Sequence, residues 1–231
     1  MILYIKKKKY DDAIIITEKY LQVDSLNQKI NSINAYLYVL KKDYVNSYYK
    51  FLKCYLNNDT SKFVLKYLGI TCFKLDSFEA TKFYLEKAYK LDSADYQVSN
   101  FLGIACATYV YKQLGIYYLN KTAKLMTPDS VYLSSVYFNL GKAYDSYSNS
   151  PCKSGYDAFV RANELNPKDT LSMLFLAFKF DNCIHDKESA IKYYKKFIAT
   201  RPPKKNDNKN SKFVFSYYDT AIKRLEELEK K

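Results

Sequence analysis

Apolar positions recur along this chain at helical rather than strand spacing. Phe78, Leu85, Ala88 and Leu91 fall at steps near three, four and seven, which places them on one face of a helix. A period-two strand reading fails over the same stretch. Polar segments such as Lys74-Leu75-Asp76-Ser77 read as turns, and stops such as Leu165-Asn166-Pro167 and Arg201-Pro202 follow the second helix of a pair. The pattern therefore predicts helical hairpins. With only five glycines and five prolines, the chain lacks the punctuation that a sandwich or barrel of its length requires. The fold class expected is all-α.

The hairpins repeat. Leu68-Gly69 and Leu102-Gly103 stand 34 residues apart, and Leu140-Gly141 follows 38 later, which suggests a short insertion in one connection. A second register of small residues runs through Ala13, Ser47, Thr81, Gly115, Gly155 and Ala190, at steps of 34, 34, 34, 40 and 35. Two antiparallel helices that cross closely leave no room for a larger side chain at the crossing. Small residues at both points therefore mark where the helices of each hairpin meet.

These motifs resemble the tetratricopeptide repeat family. One unit reads Leu68-Gly69, Phe78, Thr81, Leu85, Ala88 and Leu91; the first reads Tyr4, Tyr10, Ala13-Ile14, Tyr20 and Val23. Another reads Leu140-Gly141, Tyr144, Phe159, Ala162, Leu165 and Pro167. The chain departs from the family pattern in having no tryptophan, in opening two second helices with Lys112 and Lys187, and in closing only two units with proline. The resemblance implies a right-handed superhelical solenoid of about six units over residues 1–203. A polar connector at 204–211 and a C-terminal capping helix at 212–231 complete the expected organisation. In this register the first unit is truncated and Lys6 to Lys9 fall at a hairpin turn. The last helix, with Phe213, Phe215, Tyr218, Ala221, Ile222 and Leu225, is apolar early and charged late, which suits a cap more than a recognition helix.

The same resemblance implies that first helices line a concave face that holds a ligand. Carried over by position, the lining residues are Lys29, Ser32 and Tyr36, then Phe63, Lys66, Ile70, Phe73 and Lys74, then Gln97, Asn100, Ile104 and Thr108, then Phe138, Lys142 and Asp145. Phe63, Ile70 and Ile104 serve equally well as interhelix packing. Such a surface suits a protein or peptide segment with apolar anchors and some acidic residues. Isoleucines at 70 and 104 replace the asparagines of the family's carboxylate clamp, so that clamp is not expected.

Charge adds a second option. The formal net charge is +13, concentrated in Lys6 to Lys9 and in Lys187 to Lys212, where nine basic residues face two acidic ones. Attraction of the second segment to nucleic acid or an anionic membrane surface is the alternative function. Five widely scattered cysteines imply no disulfide framework, and a soluble, cytoplasmic protein is expected unless a leader lies upstream of Met1. Catalytic chemistry finds little support. His185, the single histidine, lies near Cys183, Asp181 and Asp186, but the spacing is unlike closed zinc sites, and no phosphate-binding or metalloprotease motif occurs. The expectation is a non-enzymatic scaffold without cofactors.

Overall fold

The computed structural model of the chain describes residues 8–126, 130–201 and 209–230, and the side chains of all of these except 130 and 209–215. It falls into two compact units that divide between Leu125 and Met126. In the first, α1 (Tyr10–Val23) precedes three antiparallel hairpins. These are α2 (Gln28–Leu40) with α3 (Tyr44–Leu56), α4 (Lys62–Lys74) with α5 (Phe78–Leu91), and α6 (Tyr96–Thr108) with α7 (Lys112–Leu125). The second unit contains α8 (Ser130–Ser146) with α9 (Cys152–Leu165), α10 (Thr170–Lys179) with α11 (Lys187–Ala199), and the final helix α12 (Lys209–Glu229). No strand occurs among the described residues.

The small-residue register marks the crossings. Ala13, Ser47, Thr81, Gly115, Gly155 and Ala190 are all buried, one on each second helix. In the first helices a methyl group added at Gly69 would come within 2.6 Å of Leu85 Cγ, at Gly103 within 2.8 Å of Leu119 Cγ, and at Gly141 within 2.6 Å of the Phe159 ring. Ala35, fully buried, fills the equivalent place on α2. The Ser47 and Thr71 hydroxyls share a hydrogen bond of 3.2 Å where α3 meets the next hairpin, so this crossing satisfies its polar atoms internally.

Helix starts use polar caps in place of glycine and proline. The side chains of Asn27, Asp43, Ser61, Asp95, Asp169 and Asp186 each accept a hydrogen bond from a backbone N–H in the first turn of the helix that follows. Helix ends use left-handed residues. Lys42 and Asp76, spaced by the repeat, have φ of 62° and 56°; Lys8, with φ of 56°, takes the same conformation before α1, and His185 does so before α11. The next backbone N–H turns back to the helix, from Asp43 to Tyr38 O at 2.9 Å and from Ser77 to Cys72 O at 2.9 Å. A lysine is strained in this conformation and glycine is not. The variant Lys42→Gly should therefore be more stable by about 0.5–1 kcal/mol in a denaturant titration, since exposed Lys42 forms no ion pair among the described residues that the change would remove.

Two expectations change. The 38-residue step lies inside a helix: α8 has 17 residues where α2, α4 and α6 have 13, and the four extra ones precede Gly141 as an added turn. The connection to α9 is also longer than its counterparts. The cysteines are not all separate, because Cys152 and Cys183 form a disulfide. The π-helical turn Phe180–Ile184 at the end of α10 carries Cys183 to the start of α9, a juxtaposition that a sequence separation of 31 conceals.

The final helix packs on α11. Tyr218, Ala221 and Leu228 are buried, and the Tyr218 ring stacks on Phe197 with centroids 4.3 Å apart. Arg224 reaches Asp181 with Nε at 2.7 Å and Nη2 at 2.8 Å. The expected connector lies largely outside the described residues, as do Met1 to Lys7 and the side chains of Phe213 and Phe215.

Candidate binding surface on the first helices

In the first unit, aromatic side chains link the first helices. Tyr36 on α2 meets Phe63 and Tyr67 on α4 at centroid distances of 5.5 and 4.6 Å, and Phe63 meets Tyr67 at 4.8 Å. Phe51 of α3 lies beneath, stacked on Tyr67. Burial and a hydrogen bond with Tyr36 push the Tyr67 phenol well above its ordinary pKa, so it stays protonated. Phe63 remains 38% exposed, enough for one edge of the cluster to meet a ligand.

A second cluster joins α4 to α6. Phe73 and Phe101 meet edge to face at 5.0 Å, and Lys74 Nζ stands 5.8 Å from the first ring and 5.7 Å from the second. Lys74 is exposed and forms no ion pair among the described residues. A cation held over two rings, with its charge unpaired, is a suitable contact for a carboxylate beside an apolar group.

Other expected residues are committed elsewhere. Lys66 donates to Asp95 Oδ2 at 2.7 Å, and both side chains are about nine-tenths buried. Asp95 also accepts from the backbone N–H groups of Gln97 and Val98, so it anchors α6 and neutralises Lys66 together. Lys62 donates to Asp92 at 2.7 Å and stands 3.8 Å from Asp95. Ile70, Asn100 and Ser32 are buried, Ile104 and Gln97 are half-buried, and Lys29 and Thr108 are exposed. In the second unit, Phe138 packs against Phe159 and Phe175 at 5.7 and 5.2 Å, exposed Lys142 lies 5.9 Å from the Phe138 ring, and Asp145 pairs with Lys179.

Tyr67 and Phe101 were absent from the sequence-derived set. Their signal was available: they stand 34 residues apart, each immediately before a Leu-Gly pair.

The chemistry around His185 is taken up by structure. Asp181 holds Arg224, Asp186 caps α11 through Ser189 N–H at 3.0 Å, Cys183 is in the disulfide, and His185 itself forms the left-handed turn. Among the described residues no group of three or more His, Cys, Asp or Glu side chains is placed to hold a metal. Burial pushes the Cys72 and Cys106 thiols up to about 12 and Cys54 up to about 11, so all three are protonated packing residues. Of the basic C-terminal segment, Lys195 pairs with Glu229 at 2.7 Å, Arg201 pairs with Asp219 at 2.8 Å, and Lys196 lies over the Tyr193 ring. Lys204 and Lys205 lie outside the described residues. No described helix is long and apolar enough to cross a membrane.

No protein-family model and no curated protein matches the chain. Solved structures do. YrrB, described as a TPR protein with an unusual peptide-binding site, matches with a TM-score of 0.66 at 18% identity, covering 74% of this chain and 85% of YrrB. MamA from Desulfovibrio magneticus RS-1 matches with a TM-score of 0.65 at 16% identity, over 74% of this chain and 93% of that one. The APC/C hetero-tetramer Cut9-Hcn1 matches with a TM-score of 0.65 at 16% identity, covering 95% of this chain but only 41% of the other. At these identities the likeness speaks for architecture. Paired helices, a 34-residue step and small residues at every crossing, together with these neighbours, give the chain the fold of a tetratricopeptide-type helical repeat.

Proposed function

We propose that this protein is a non-enzymatic adaptor that holds a protein segment along the first helices of its first unit. Helices α2, α4 and α6 pack against one another as well as against their hairpin partners, which suits an inner, ligand-facing side of a stacked array. The observation that carries the reading is the Phe73, Phe101 and Lys74 cluster, an exposed cation over two rings at the junction of two repeats. Its partner would offer an apolar side chain close to a carboxylate. Tyr36 and Phe63 extend the same surface toward α2, and Lys29 adds a further exposed charge at its start. YrrB, with its peptide-binding site, gives the reading a precedent in fold. On α8, Phe138 and Lys142 pair a ring with a cation in the same way, and we assign them the same kind of contact within the second unit.

The test is direct. Partners captured on the immobilised chain are identified, and affinity for the strongest is measured by calorimetry against Phe73→Ala/Lys74→Ala. Loss of a ring anchor and its cation should weaken binding about tenfold or more while the chain stays folded by circular dichroism. Unchanged affinity in the folded variant would move the site elsewhere.

A further inference from the structure

The second helices of the first unit carry a repeated surface pattern that packing does not require. Two positions beyond each small crossing residue stand Ile15 on α1, Tyr49 on α3, Phe83 on α5 and Tyr117 on α7, spaced by the repeat and 49–65% exposed. One helical turn further stand Lys19, Lys53, Lys87 and Lys121, again in repeat register. Each apolar side chain therefore has a lysine beside it on the same outward face.

The rings are firmly seated. Tyr49, Phe83 and Tyr117 meet Tyr48, Tyr84 and Tyr118 edge to face at 5.5, 5.1 and 5.2 Å. Those neighbouring tyrosines help to join successive repeats: Tyr55 packs on Tyr84 at 5.3 Å and Tyr89 on Tyr118 at 5.1 Å. Lys87 Nζ stands 4.2 Å from the Phe83 ring and donates to the Tyr55 hydroxyl at 2.7 Å. Lys19, Lys53 and Lys121 form no ion pair among the described residues. Helices α3 and α7 contain no acidic residue; on α1 Asp11, Asp12 and Glu18 pair with Lys41, Lys9 and Lys50, and on α5 Glu86 pairs with Lys82 while Glu79 lies one turn before Phe83, so lysines outnumber free carboxylates along the stripe. In the second unit the matching positions hold Asp157 with Arg161 and Lys192 with Lys196, so the fold itself does not demand apolar groups there.

We propose that this outward face of the first unit docks on an anionic lipid bilayer, with Ile15, Tyr49, Phe83 and Tyr117 at headgroup depth and the lysines reaching lipid phosphates. Amphipathic rings beside long-stemmed cations are the residue set that the membrane–water interface selects, and anionic lipids add attraction for each lysine. A second copy is a poor occupant, since a two-fold contact would set one lysine row against another. This face is distinct from the first-helix surface, so docking here leaves that surface open to a protein segment.

The full chain is sedimented with vesicles of phosphatidylcholine alone and with vesicles containing about one-third phosphatidylserine. Binding is expected to the anionic vesicles only and should fall as salt rises. The variant Tyr49→Ser/Phe83→Ser/Tyr117→Ser keeps every charge and should bind about tenfold more weakly. Lys19→Gln/Lys53→Gln/Lys121→Gln changes exposed charges alone and should weaken binding in a chain whose fold is not at risk. Because the sequence has no tryptophan, Phe83→Trp reports insertion directly. Its emission should shift to the blue and be quenched by brominated lipid, whereas Asp157→Trp in the second unit should not respond. Absence of binding to anionic vesicles would overturn the proposal. So would a serine variant that binds as the parent does, because attraction then owes nothing to the rings and the face is a general polyanion surface, suited to nucleic acid or an acidic protein.

Discussion

A chain carrying Gly115→Leu should melt about 10 °C or more below the parent, the largest single-residue effect expected in the first unit. A methyl group at residue 115 would lie 2.5 Å from the Ala107 nitrogen, 2.7 Å from its Cβ and 2.8 Å from its Cα. These atoms belong mainly to the α6 backbone, which cannot rotate aside as a side chain can. The axes of α6 and α7 must separate, and the cost should reach about 3 kcal/mol or more. Gly103→Leu on the facing helix meets mostly the Leu119 side chain, so about 1–3 kcal/mol is expected there. Calorimetric melting of both variants checks the order. Equal, small losses would mean that the helices do not cross at Gly115.

The second large effect concerns the final helix. The Asp181 side chain is 5% exposed and accepts two hydrogen bonds from Arg224 and one, at 3.2 Å, from the Tyr194 hydroxyl. Arg224→Ala removes the cation and leaves a buried carboxylate with one partner. Breaking a fully buried pair costs several kcal/mol; because Arg224 itself keeps contact with water, about 2–3 kcal/mol is expected here. The Arg224 hydrogen bonds hold the Asp181 pKa below its ordinary value of 3.8. A depressed carboxylate pKa contributes stability above the unfolded value and loses it as pH falls through the folded one. The gap between parent and variant should therefore be full at neutral pH and close below about pH 4. Denaturant titrations at both pH values measure it, and faster amide exchange in α12 would show which contact was lost.

Local steric demands were legible in the sequence. A crossing that admits only small side chains imposes them at every copy, which is why all six residues from Ala13 to Ala190 are buried and why second helices begin at Tyr10, Tyr44, Phe78 and Lys112. Features set by contacts between distant positions were less accessible. The Lys66 and Asp95 pair spans 29 residues and withdraws a lysine assigned to ligand binding; nothing in either residue's neighbourhood announces this. The disulfide depends on a π-helical turn that no periodicity encodes. The left-handed turns were hidden because lysine and aspartate occupy positions where glycine would have signalled them. Ile70 and Asn100 show the limit of carrying positions over from a family, because both are buried in the packed interior.

Asp95 works for two neighbours at once, holding the start of one helix and the cation of the preceding hairpin. An acidic guest that recruits Lys66 must therefore compete with a carboxylate already engaged in folding. Success would slacken the seam between adjacent repeats, so under the proposed reading occupancy would be felt along the stack as altered springiness, and the chain would sense its cargo as well as carry it.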